Sequence, residues 1–424
     1  MQAAQGLVGT GAAAAILLLF PAPSLAQEPE WPFHGFLQAN WSIRTTGVGG
    51  GEELLSDDFL LGEERLELEL QGFSSSGRSA GFQLKADFFH DAIADRTDLE
   101  LREAYLDLGL GPIGYRLGRQ IVTWGVGDLL FINDVFPKDY AAFFSGRPLQ
   151  YLKVGVDGVR VDWTSEVASG EIVVMPSFEP DRIPRPDRFV LPDPFEGLPR
   201  VETRPRLRLS NTEAAARLYR RMGEAEVAIY AFRGFHRSPA LRPEGQPPER
   251  VVAHFPRLGV YGASAQRAGL GGVLSAEVGY YDSREDRGGT DPWVPNSELR
   301  FLLGYQRQLE RESDLGLQYY AEWMQDHGAY RAALPPGAAP RDEMRHVATL
   351  RYTREFAYRT WRLSFFAFIG LSEADYLAIP EIRHNFTEEL WLALGANLFG
   401  GGAEDLFGAL DANDNVYVTA RYGF

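Results

Sequence analysis

Nearly the whole chain is written in a period of two. From residue 33 onward, Phe33, Gly35, Leu37, Ala39, Trp41 and Ile43 fall on one face, and Gln38, Asn40, Ser42 and Arg44 on the other. Successive side chains of a strand point to opposite faces, so this alternation describes a pleated strand with one apolar and one wet side. The pattern returns as Leu66, Leu68 and Leu70 against Arg65, Glu67 and Glu69, and as Phe82, Leu84, Ala86 and Phe88 against Gln83, Lys85 and Asp87. Val159, Val161 and Trp163 oppose Arg160 and Asp162, and Ala214, Ala216 and Leu218 oppose Glu213, Arg217 and Arg221. In the second half, Leu274, Ala276, Val278 and Tyr280 oppose Ser275 and Glu277, Leu315 to Trp323 repeat the theme, and Val416, Val418, Ala420, Tyr422 and Phe424 close the chain. Charged residues stand in mid-strand on the polar face. That fits a soluble sandwich or a membrane barrel equally well.

Loop parity separates the two. Eighteen strands are expected (a count of 16 is compatible), near 31–45, 58–73, 79–90, 98–110, 113–124, 151–164, 168–177, 211–222, 224–235, 251–267, 270–283, 295–309, 313–327, 342–355, 359–371, 375–386, 388–400 and 414–424. Connections after even strands are tight, as at Gly111-Pro112 and Met222-Gly223-Glu224, whereas those after odd strands are generally long, as at 125–150, 178–210, 236–250 and 401–413. Short turns on one rim and long loops on the other are the mark of an all-β, antiparallel transmembrane barrel. A sandwich has no reason for them. The phase break between Leu101 and Ala104 predicts a bulge.

The leader supports export. Ala12 to Phe20 is an uninterrupted apolar run followed by Pro21, Pro23 and Ser24-Leu25-Ala26, which reads as a signal peptide over 1–26 and a single barrel domain over 27–424. No later stretch is apolar for long enough to be a transmembrane helix. Cysteine is absent, which removes thiolate metal sites, and a net charge of -16 argues against nucleic acid as a partner. No cofactor and no metal site is expected: Asp411 to Asn415 lacks the glycine and distal glutamate of a calcium loop, and there is no H-E-x-x-H, G-x-S-x-G or phosphate loop.

The terminal Tyr422-Gly423-Phe424, with the dyad strands and loop parity, resembles Gram-negative outer-membrane porins. That resemblance implies an outer-membrane location, surrounding lipid, and recognition of the last strand, ending in Phe424, by the barrel-assembly machinery. Leu117-Gly118-Arg119-Gln120, then Trp124-Gly125, Asn133-Asp134 and Pro137-Lys138-Asp139-Tyr140, is similar to a strand-and-loop motif of porin-like families that include relatives of alginate-export barrels. It implies passage of a solute or polymer. Alginate-export barrels carry a strongly basic lumen, and this chain departs from that in mixing acids among its arginines.

The segment 125–150 carries Leu129, Leu130, Phe131, Ile132, Val135, Phe136, Phe143 and Phe144, too apolar for a solvated loop. Inward folding is expected, with Asp128, Asp134, Lys138, Asp139 and Arg147 at a constriction, launched by Arg119, Gln120, Trp124 and Gly125. The expected lumen lining is Arg44, Arg65, Glu67, Lys85, Asp87, Arg160, Arg217, Arg221, Glu277, Arg300, Glu322, Arg345, Arg351 and Arg421, either setting a field for solutes or pairing across strands. The Pro-rich loop 178–210 is expected on the external side without a regular ladder. The reading is a pore for small polar or charged solutes and not an enzyme. A barrel lipase or protease, or a plugged barrel attached to an export system, are the alternatives.

Overall fold

The computed structural model describes residues 33–45, 58–74, 79–245, 247–309 and 312–424; the leader over 1–26 lies outside them. Its strands, in chain order, are β1 (Phe33–Arg44), β2 (Phe59–Ser74), β3 (Ala80–Asp91), β4 (Arg96–Leu110), β5 (Ile113–Gln120), β6 (Val156–Trp163), β7 (Ser169–Met175), β8 (Arg200–Thr203), β9 (Glu213–Met222), β10 (Ala225–Phe235) and β11 (Ala240–Glu244). There follow β12 (Arg250–His254), β13 (Arg257–Gly269), β14 (Gly272–Ser283), β15 (Glu298–Leu309), β16 (Ser313–Met324), β17 (Met344–Phe356), β18 (Trp361–Gly370), β19 (Tyr376–Asn385), β20 (Leu390–Gly400) and β21 (Asn415–Gly423). Two short helices, α1 (Tyr140–Phe144) and α2 (His327–Ala333), lie in loops.

All strands but β8, β11 and β12 form one 18-stranded antiparallel sheet. It closes where β1 pairs with β21 from Phe36↔Gly423 to Arg44↔Asn415, sealed by reciprocal Gly35–Phe424 backbone bonds of 3.0 Å. Closure matters because an open edge in hydrocarbon leaves unsatisfied amides, each costing on the order of several kcal/mol. The face assignment follows the alternation: on β1, Gln38, Asn40, Ser42 and Arg44 are buried inside, while Leu37 is 52% exposed on the outer belt. Exposed Leu303, Leu317, Val416 and Val418 continue that belt on other strands. No helix among the described residues is long and apolar enough to cross a membrane.

The bulge is where the phase break places it. Register shifts between Lys85 and Ala86, and the extra residue Arg102 turns inward with Glu100. Strand limits differ at three places. β5 stops at Gln120 instead of reaching 124, because the Ile121 N–H donates to the Glu103 carboxylate (3.3 Å) instead of to a ladder carbonyl. β6 starts at Val156, so the segment leaving the wall is 121–155. The strand expected over 251–267 divides before Pro256, and β12 leaves the barrel to pair with β11 and, in parallel, with β8. The Pro-rich loop therefore does contain a ladder, between Pro199 and Pro205.

Because β5 ends early, Arg96 to Glu103 of β4 pair only with β3. The wall is low there on the long-loop side. From that low edge the 121–155 segment turns into the barrel, and its Trp124, Ile132, Val135, Phe136, Phe143 and Phe144 join wall residues Met175, Phe232, Val260, Leu302 and Phe399 in one buried apolar cluster.

Candidate functional site: the segment crossing the lumen

Gly125 adopts φ +83, which an L side chain resists, and lets the chain turn under Trp124. The Trp124 indole stacks edge-on to Phe136 (5.1 Å between centroids) and donates to Glu171 on β7 at 2.7 Å. The segment then reaches β14, where the Glu277 carboxylate accepts from the backbone of Val126 (2.9 Å), Gly127 (3.2 Å) and Asn133 (2.8 Å) and from the Asn133 side chain (2.9 Å). Farther round the wall, on β16 and β17, the Asp128 N–H donates to Gln318 at 2.7 Å, and the Asp128 carboxylate pairs with Arg351. After α1 the chain meets the other wall. Phe144 O accepts from Asn397 and Asn415, Gly146 O from Asn40, Arg147 pairs with Glu63 at 2.6 Å, and Gln150 O accepts from Arg102 at 2.7 Å.

The five residues expected at a constriction thus separate. Asp128 and Arg147 each bind a wall arginine or glutamate. Asp134, Lys138 and Asp139 hold the segment together instead. The buried Lys138 ammonium bonds Asp134 at 3.1 Å and Phe136 O at 2.6 Å and lies 4.5 Å from the Phe131 ring centroid. Burial pushes Lys138 below the usual lysine range, against the pull of Asp134 and Asp181. Asp139 caps α1, accepting from Ala142 N at 2.7 Å, a contact worth about 1 kcal/mol. Arg119 donates to Leu101 O and pairs with Asp157, while Gln120 is fully buried at the launch point.

The lumen arginines are mostly compensated. Arg65 binds Glu63 (2.7 Å) and Asp87, Lys85 binds Glu69 (2.7 Å) and lies 3.9 Å from Glu67, and Arg217 binds Glu171 (3.0 Å). Arg300 joins Glu298 (2.7 Å) and Glu322 (3.7 Å), Arg345 joins Glu373 (2.8 Å), and Arg160 lies 3.7 Å from Asp162. Arg44 binds Asn413 and the Arg188 carbonyl, and Arg221 binds Gly223 O at the short-turn rim. Arg421 differs: it binds Gln38 and Gln150 and lies 3.8 Å over Phe36. Glu277, expected to line water, is buried under the crossing segment.

Two cavities flank the segment. One on the long-loop side, about 520 Å³, is bordered by Asp91, Glu100, Arg147, Arg182 and Arg188; the other, about 290 Å³ toward the short-turn side, by Arg147, Gln150, Arg351, Arg383, Trp391 and Arg421. Arg147 borders both. Sequence reasoning missed Glu63, Glu100, Arg102, Tyr151 and Arg182. Glu63 needed only the alternation extended two residues back from Arg65, but Arg102 was hidden by the bulge and Arg182 by its loop. Among the described residues no three acidic or histidine side chains are placed to hold a metal.

No family model matches the sequence, and no curated protein does. Among solved structures, OccAB4 of Acinetobacter baumannii superposes with a TM-score of 0.56 at 8% identity, over 92% of this chain and 97% of that one. OccK2 (OpdF) of Pseudomonas aeruginosa, in complex with glucuronate, gives 0.55 at 11% identity over 92% and 97%. The outer membrane protein opdK of Pseudomonas aeruginosa gives 0.54 at 10% over 92% and 98%. At these identities the likeness is one of fold, a closed all-β barrel of 18 antiparallel strands.

Proposed function

We propose that the protein is an outer-membrane channel of a Gram-negative cell that passes small polar or charged solutes by diffusion and restricts them where the 121–155 segment crosses the lumen. The observation that carries this reading is the pair of cavities on either side of that segment, sharing Arg147. The apolar part of the segment seals the side of the lumen lined by β7, β10, β13 and β15, which leaves the charged wall of β2 to β4 on the long-loop side and of β17 to β21 on the short-turn side as the solute path. Interleaved charge of both signs along that wall favours small polar solutes over a long polyanion. The lipid-facing belt, the leader cut after Ala26 and delivery through the strand ending in Phe424 belong to the same reading.

One observation favours a plugged barrel: the Arg147–Glu63 pair stands where the cavities meet. Planar-bilayer recording on refolded protein distinguishes the two. The channel reading expects conductance from the intact chain and larger conductance after deletion of 126–149. A silent intact chain that conducts only after the deletion establishes the plug, and silence in both ends the channel reading.

A further inference from the structure

A third cavity, about 170 Å³, lies between the crossing segment and β16 to β18, and it is unlike the other two. Half of its lining is aromatic, including Phe131, Tyr140 and Phe143 of the segment, Phe368 of the wall and Phe407 of the loop between β20 and β21. These rings are fixed by one another: Phe143 packs on Phe144 at 5.4 Å and Phe368 on Phe407 at 5.4 Å. Two ionised groups reach its margin, and both are already charge-paired. Glu322 accepts from the Tyr320 hydroxyl at 2.8 Å and from Arg341 at 3.0 Å, and Arg345 binds Glu373 at 2.8 Å. The Tyr140 hydroxyl, by contrast, borders the cavity and has no hydrogen-bond partner among the described residues.

We infer that this cavity is a binding site for a small uncharged aromatic molecule bearing one hydrogen-bonding group, such as a phenol. Size agrees, since an apolar cavity of about 150 Å³ holds a benzene ring. Aromatic walls supply offset and edge-on ring contacts, and Tyr140 offers the single polar handle. Arg345 is flanked by Glu373 at 2.8 Å and Asp375 at 3.7 Å, so although one of its nitrogens lacks a hydrogen-bond partner among the described residues, an anion meets more negative than positive charge at this margin. The site goes beyond diffusion of polar solutes: it holds an apolar ligand, beside the segment and away from Arg147.

The test uses refolded full-length protein, with phenol, toluene and benzenesulfonate as probes and binding read by calorimetry or saturation-transfer NMR. The intact protein is expected to bind phenol saturably, toluene more weakly and benzenesulfonate not at all. Tyr140→Phe keeps the ring and removes the handle, so phenol affinity falls about fivefold, the size of one lost hydrogen bond, while toluene affinity holds. Val347→Phe, from the β17 wall, fills the cavity and abolishes both. Correct folding of each variant is read from its heat-dependent gel mobility. Saturable benzenesulfonate binding, absence of phenol binding, or a Tyr140→Phe variant that binds phenol as tightly as the parent overturns the assignment.

Discussion

Arg147, which alone among the described residues borders both polar cavities, holds a 2.6 Å ion pair with Glu63. Glu63 is wholly buried and divided between two cations, with its other oxygen 2.7 Å from Arg65. Arg147→Ala removes a guanidinium from the junction and leaves Glu63 bound to Arg65. Conductance is expected to rise about twofold, with selectivity moving toward cations. Glu63→Gln is expected to move selectivity toward anions. Reversal potentials in asymmetric salt read both, and two unchanged potentials place the solute path elsewhere.

Glu277 is the main anchor of the segment's first half. Replacing it with alanine orphans three backbone N–H groups and leaves the Asn133 side chain only its bond to Val278 O, which costs about 3 kcal/mol of docking. The barrel ladder does not pass through this carboxylate. Glu277→Ala is therefore expected to fold as a barrel while exposing 126–150 to limited proteolysis. Cleavage unchanged from the parent contradicts the anchoring role.

These two positions show where sequence is legible. Alternation places Glu277 inside the barrel, because a period of two fixes the face of every residue on a strand. It does not tell whether that face meets water or a folded segment, and here it meets the backbone of Val126 to Asn133. The same limit applies to Arg102, whose inward direction depends on a bulge, and to Arg182, whose partner Glu100 lies far away in sequence. Apolar content marked 125–150 as a segment seeking burial. Its route around the lumen, from Glu171 to Arg102, follows from individual hydrogen bonds that no periodicity encodes.

Lys138 holds the segment's middle. Its ammonium is buried between Asp134 and the carbonyl of Phe136, and Lys153 also lies 3.3 Å from Asp134. Lys138→Met keeps the apolar stem and leaves Asp134 with the more exposed Lys153 alone. Breaking a buried pair typically costs about 3–5 kcal/mol, and the second lysine places the loss at the lower end of that range. The expected outcome is a lower unfolding temperature in detergent, with Lys138→Arg intermediate. A Lys138→Met variant as stable as the parent contradicts the buried pair.

His236 follows β10 directly, its N–H donating to Pro256 O at 2.9 Å. Burial, reinforced by the positive charge of Arg300, pushes its imidazole down to about 3 from an ordinary 6.5. Between those values the unfolded chain binds a proton that the folded chain refuses. The contribution is fully present above about pH 6.5 and is lost as pH falls toward 3, which amounts to about 2 kcal/mol by pH 5. His236→Asn removes the titration and keeps a side chain of similar polarity. Unfolding temperatures at pH 7.5 and 5 should therefore diverge more in the parent than in the variant. Equal acid sensitivity in the two proteins assigns the loss to other groups and returns His236 to an ordinary solvated imidazole.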